Sequence, residues 1–221
     1  MTPLLRVSRL SARRGGRDVL TEVSFDVHAN EILGVIGPNG AGKTTLFECV
    51  AGVLPCTQAR EATDDIFFLP DAIRPWPAQS VRWTIEFVAR VFGGSVDESL
   101  YEELDLVRLL PQRVGSLSKG EAKRAGIALA LSVPRPILFL DEPFDGLDLR
   151  QTRQVAALLR RRAAAGRTLV LSIHQLTDAA RVCDRFLLLD HGRSVAEGTL
   201  EELTARAGAA GGLEEVFLAL T

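Results

Sequence analysis

Ile32-Leu33-Gly34-Val35-Ile36-Gly37-Pro38-Asn39-Gly40-Ala41-Gly42-Lys43-Thr44-Thr45 decides the fold. The continuous apolar run from Ile32 to Ile36 reads as a strand buried on both faces, as in parallel sheets. The residues that follow satisfy G-x-x-x-x-G-K-[ST], and Thr44 to Val53 continues with helical spacing. A Gly-rich loop therefore joins the end of a buried strand to the start of a helix. Such a loop turns tightly and points successive N–H groups inward, so that a triphosphate would sit in a nest of donors at the helix N-terminus. Lys43 adds a point charge at the β- and γ-phosphates, and the Thr44 hydroxyl suits Mg²⁺. Gly37, Pro38, Asn39, Gly40, Ala41, Gly42, Lys43, Thr44 and Thr45 are the candidate nucleotide-binding set.

Two further runs, Ile137 to Leu140 and Leu169 to Ile173, have the same buried-strand character, and Leu149 to Ala165 between them predicts a crossover helix. Upstream, Leu4 to Leu10 and the alternation of Val23, Phe25 and Val27 predict antiparallel strands. Between Pro70 and Pro136 the spacing predicts helices over 80–92, 97–109 and 118–132, a helical insertion. Arg185 to Asp190 and Ser194 to Glu197 flank His191-Gly192-Arg193 as a hairpin. Two short helices end the chain, joined through the Gly/Ala stretch 207–212. The pattern is α/β. Asp141 closes a buried strand at its carboxyl end, where open α/β sheets bind ligands, and suits a Mg²⁺-holding carboxylate. Glu142 beside it points differently and is the candidate for polarising an attacking water.

The chain has 221 residues, 47% hydrophobic and 24% charged, with 26 basic against 28 acidic side chains and a net charge of −2. That length builds a core without disulfides or a structural metal. The balanced charge argues against nucleic acid as a partner. No apolar stretch approaches the ~20 residues of a membrane-spanning helix, so no direct membrane insertion is expected. The opening MTPLLRVSRLSARRGG lacks a continuous apolar region, so it does not read as a signal peptide, and a cytoplasmic location is expected. Cys49, Cys56 and Cys183 have no metal-ligand spacing and are read as reduced thiols.

Taken in order, the P-loop, Leu117-Ser118-Lys119-Gly120-Glu121, Leu138 to Pro143, Gly146-Leu147-Asp148 and His174 resemble the nucleotide-binding subunit of ATP-binding cassette transporters, over nearly the whole chain. The resemblance implies one domain over 1–221: a P-loop NTPase (RecA-like) core with an N-terminal antiparallel β subdomain, a helical subdomain inserted at about 71–135, and C-terminal helices at about 199–221. It implies ATP and Mg²⁺, hydrolysis assisted by Glu142 and His174 with Lys43, and metal contacts from Thr44 and Asp141. It also implies a head-to-tail dimer, a homodimer being possible, in which Ser118 and Gly120 of one copy clamp the γ-phosphate held by Lys43 of the other. The remaining partner would be an integral-membrane permease, with this chain peripheral on the cytoplasmic face of the membrane. The ending Leu213 to Leu220 is similar to tails of export-type subunits. The alternatives are a soluble cassette ATPase not engaged in transport and a P-loop kinase; the first would need a long coiled coil or a second cassette, neither of which the sequence shows, and the second an acceptor site and a basic lid in place of the signature helix.

The sequence departs from the family at several places. Arg14 stands where an aromatic residue usually stacks on adenine; a guanidinium can stack on a purine, so ATP binding with reduced base selectivity is expected. Asp71 stands where a Gln usually contacts Mg²⁺ and links the site to the membrane subunit, and a Mg²⁺ or coupling role is expected for it. Lys119 and Glu121 replace the commoner Gly and Gln of the signature. Trp76 and Trp83 fall in and just after the Pro-rich stretch, and core packing of the helical insertion is their expected role, with Trp83 and Phe87 sharing one helix face. The other reading is a groove for a helix of a transmembrane partner.

Overall fold

The computed structural model describes residues 2–57, 60–61, 65–71, 73–208 and 211–221. Its strands are β1 (Leu5–Arg14), β2 (Arg17–Val27), β3 (Ile32–Ile36), β4 (Arg60–Glu61), β5 (Ile66–Leu69), β6 (Ile137–Asp141), β7 (Thr168–Ile173), β8 (Arg185–Asp190) and β9 (Arg193–Gly198). Its helices are α1 (Lys43–Val50), α2 (Val81–Val91), α3 (Ser99–Glu103), α4 (Lys119–Ser132), α5 (Leu149–Ala164), α6 (Leu176–Val182), α7 (Leu200–Ala207) and α8 (Leu213–Leu220). Six strands form the main sheet in the order β5-β6-β7-β3-β8-β9, parallel except for β9, and β2-β1-β4 form a small antiparallel sheet. This is the α/β architecture that the apolar runs predict, and it has the P-loop NTPase core and small antiparallel sheet that the family resemblance implies.

Every residue of β3, β6 and β7 is buried, which is why they read as unbroken apolar runs. Alternate side chains serve two cores. Leu33, Val35, Ile137, Phe139 and Val170 face α1 and the small sheet, whereas Ile32, Ile36, Leu138, Leu140, Leu169 and Leu171 face the helices on the other side. Phe47 of α1 anchors the first core by edge contacts to Phe139 at 5.0 Å and Phe68 at 6.2 Å.

The predicted elements are present with shifted ends. α1 stops at Val50 rather than Val53, and the predicted helix 97–109 survives only as α3. Its early end has a physical cause. The buried Arg124 guanidinium, reaching over from α4, donates to the carbonyls of Leu104 at 2.6 Å and Asp105 at 3.0 Å, and Asp105 takes a left-handed φ of 52°. A helix cannot continue through a left-handed residue at low cost. The 207–212 linker lies partly outside the described residues. Cys49 and Cys183 are buried and Cys56 half-buried, and none of the three is in a disulfide; burial, with Cys56 adding to it, pushes the Cys49 thiol up to about 12.

The β8–β9 hairpin turns at His191 and Gly192, with φ of 43° and 73°, both left-handed as a two-residue hairpin turn requires. The turn is docked against the Gly-rich loop: Gly192 N–H donates to Ala41 O at 3.1 Å, and Gly192 O accepts from Thr21 N–H at 2.8 Å. A Cβ at Gly192 would lie 2.1 Å from Val19 O. Gly192→Ala should therefore push the hairpin off the loop, costing about 1–3 kcal/mol and lowering the melting midpoint by roughly 3–10 °C in a thermal scan.

Candidate active site

Strand order brings the carboxyl ends of β6, β7 and β3 side by side, and the functional side chains project from the loops there. Gly42 caps α1 in the left-handed region at φ 102°, with no side-chain cap, so the first N–H groups of α1 are left for a ligand. Lys43 is buried. Its ammonium donates to Gly37 O at 2.7 Å and Pro38 O at 3.2 Å and stands 3.8 Å from Glu142 Oε1. Burial pulls Lys43 below the usual ammonium range, while the Glu142 and Asp141 carboxylates pull the other way. A desolvated cation resting on neutral carbonyls is poised for an anion.

Both oxygens of the Asp141 carboxylate are engaged by hydroxyls. Thr44 Oγ1 donates to Oδ2 at 2.8 Å, and Ser172 Oγ donates to Oδ1 at 2.5 Å. The same Ser172 hydroxyl accepts the backbone N–H of Glu142 at 2.8 Å. Glu142 adopts a left-handed φ of 47°, a strained conformation for a non-glycine residue, which aims its side chain away from that of Asp141. Its Oε2 meets His174 Nδ1 at 2.6 Å. Lys43, Thr44, Asp141, Glu142 and His174, far apart in sequence, are thus one connected group.

A cavity of about 550 Å³ opens here, lined by Val19, Asn39, Gly40, Gly42, Lys43, Thr44, Thr45, Asp71, Glu142, Asp145 and His174. Asp71 is at its rim, but one of its oxygens already holds Lys123 Nζ at 2.5 Å. Asp145 is held likewise by Lys119 Nζ at 2.6 Å, which keeps its carboxyl below the usual range. Arg14 lies outside the lining, its guanidinium bonded to Glu48 at 2.9 and 3.4 Å. Ser118 and Gly120 are also outside it. Ser118 caps α4 in a reciprocal box with Glu121, and Gly120 leaves room for Gly146 O, which a Cβ would meet at 2.7 Å.

Ser172, Lys123, Asp145 and Val19 were not singled out by the sequence motifs. A hydroxyl inside the apolar run of β7, two residues before His174, was the available signal for Ser172. Trp76, Trp83 and Phe87 correct the core-packing expectation. Trp83 and Phe87 stack with centroids 4.7 Å apart, Trp76 meets both edge-on, and the three remain 39%, 38% and 45% exposed respectively.

The site fits the group its motif implies. The Thr44 hydroxyl and Asp141 carboxylate are hard oxygens within one hydrogen bond of each other, as a Mg²⁺ held by one or two protein ligands and phosphate requires. The free N–H groups at the start of α1 and the desolvated Lys43 suit the polyphosphate.

A P-loop facing an acid pair on the parallel strand one removed from its own, with β7 between them, defines a P-loop nucleoside triphosphatase. The family model described as ABC transporter matches residues 20–145. A hemin import ATP-binding protein of Streptomyces coelicolor is 35% identical over 94% of this chain and 81% of its own length, and a Nod factor export ATP-binding protein of Rhizobium etli 33% identical over 89% and 68%. A solved ATP-binding subunit of an ABC transporter superposes with a TM-score of 0.90 at 28% identity, covering 98% of this chain and 99% of that one. The chain belongs to the ABC transporter family, as an ATP-binding subunit. It is an ATPase whose hydrolysis is coupled to transport.

Ser172 makes a sharp test of the hydroxyl bridge. Ser172→Ala should reduce kcat/KM for ATP roughly 10- to 100-fold, the worth of two hydrogen bonds to charged or strained groups, with Ser172→Thr retaining most of it, measured as phosphate release.

Proposed function

We propose that this chain hydrolyses Mg-ATP between two subunits and drives a separate integral-membrane permease, as a peripheral protein on the cytoplasmic face of the membrane. The observation that carries the reading is the hydrogen-bonded series Thr44–Asp141–Ser172–Glu142–His174 around a cavity floored by Lys43. Residues 37–45 cradle the phosphates, and Thr44 and Asp141 hold Mg²⁺, which when bound neutralises charge on the β- and γ-phosphate oxygens. Glu142 accepts a proton from water as the water oxygen bonds to the γ-phosphorus and the bond to the β–γ bridging oxygen breaks. Its Oε2 accepts a hydrogen bond from His174 Nδ1, leaving Oε1, the oxygen nearer Lys43, for that proton.

Ser118 and Gly120 act in trans on the γ-phosphate of a second copy, making a homodimer with two sites. The purine lies outside the P-loop, where Glu48 pins the plane of the half-exposed Arg14 guanidinium for stacking. The Trp76–Trp83–Phe87 surface receives a helix of the permease, and a solvent-facing aromatic cluster favours a membrane partner over the free-ATPase alternative. Two experiments follow. Glu142→Gln should bind ATP, accumulate as a dimer in size-exclusion chromatography and lose kcat by about 10²- to 10⁴-fold; wild-type turnover would remove Glu142 from this role. Trp83→Ser should leave the ATPase of the isolated chain within about twofold while weakening co-purification with the permease at least tenfold, the loss expected of a buried aromatic anchor.

A further inference from the structure

Two lysines of α4, Lys119 and Lys123, are one helical turn apart, and each grips an acid that lines the nucleotide cavity. They are unequal. The Lys119–Asp145 pair is half-exposed on the lysine side and screened by water. Lys123 is 4% exposed, with Nζ 2.5 Å from Asp71 Oδ1 and 3.4 Å from the carbonyl of Asp141. A buried ammonium bonded to both the loop after β5 and the end of β6 ties three elements together at the cavity wall.

The charge balance gives this pair its meaning. Asp71, Glu142 and Asp145 line the cavity, Asp141 stands one hydrogen bond behind it at Thr44, and Lys43 is the lysine among the described lining residues. A polyphosphate entering beside these carboxylates is repelled unless their charges are offset from outside. We propose that Lys123 is a positioning residue of the ATPase reaction, pinning Asp71 at the cavity rim and cancelling its charge so that the triphosphate can approach. Asp71 is then spent on Lys123 rather than on Mg²⁺, and the two residues function as one neutral unit.

The proposal rests on the cavity being the ATP site, and a double-mutant cycle separates the two. Mg-ATP affinity of the purified chain is measured by isothermal titration calorimetry, alongside KM, kcat and the melting midpoint. Lys123→Met should raise Kd and KM together by about tenfold, with a smaller change in kcat, because Asp71 is left uncompensated beside the phosphates. In an Asp71→Asn background the same substitution should change Kd less than twofold. Equal fold-changes in both backgrounds, or a lower melting midpoint with unchanged Kd, would overturn the pairing. Failure of the wild-type chain to bind Mg-ATP would overturn the site reading itself. Should Lys123→Met not fold, Lys123→Arg and Lys123→Gln replace it: Lys123→Arg should stay within threefold of the wild-type Kd and Lys123→Gln should exceed it, and equal values would overturn the proposal.

Discussion

The catalytic end of this molecule depends on how one buried carboxylate is satisfied. Asp141 has almost no solvent access, and an ionised group there must be fully hydrogen-bonded. The two hydroxyls come from different elements: Thr44 from the first turn of α1, and Ser172 from the strand next to its own, directly opposite in register. A slip of one residue between β6 and β7 would send Ser172 to the other face and strand the carboxylate. The length of the Gly-rich loop, in turn, sets where Thr44 falls in the first turn of the helix. Sheet register and loop length are therefore properties of the site as much as of the fold.

This explains which parts could be read from the sequence. The segment 32–45 combines a both-faces-buried strand with local glycine chemistry, so the strand, the tight loop and the helix start are legible without any tertiary information. The same holds for Asp141 and Glu142 at the end of an apolar run, and for the Ser118 cap of α4, each defined within a few residues. Ser172 and Lys123 act only through partners 31 and 52 positions away, across a strand pairing and a helix packing that no local pattern encodes. The truncation of α3 is of the same kind: its spacing is helical, but a guanidinium from α4 claims the carbonyls at its end. Trp83 and Phe87 share a face as their spacing suggests, yet spacing does not say whether that face meets the core or solvent.

Two of the non-glycine residues held at left-handed φ lie at the cavity and on the aromatic face. Glu142 and Trp76 are held in the left-handed region, at φ 47° and 48°. Such a conformation costs on the order of 1–3 kcal/mol and persists only where the surroundings over-determine it. Around Glu142 the compensation is specific: Ser172 takes its N–H and His174 its carboxylate. Around Trp76 it is the edge contact of the indole with Trp83 and Phe87, made on an exposed face.

The exposed aromatic face is not needed to bury the core, since Val81, Ile85 and Val88 already fix α2 to the interior from its other side. What distinguishes it is its place in the chain. Trp76 follows Asp71 by five positions, and Asp71 is clamped to Lys123 of α4 at the cavity wall. A partner seated on the aromatic face would bear on the segment that ends at that clamp. Lys123 also reaches the carbonyl of Asp141, so a shift of this segment would be felt at the strand end that carries the buried Asp141 carboxylate. Coupling of this kind needs two arrangements of the clamp, and a charge pair one-third exposed on its Asp71 side and buried on its Lys123 side offers them, because water can replace the lysine at Asp71 more readily than anything can replace Asp71 at the lysine.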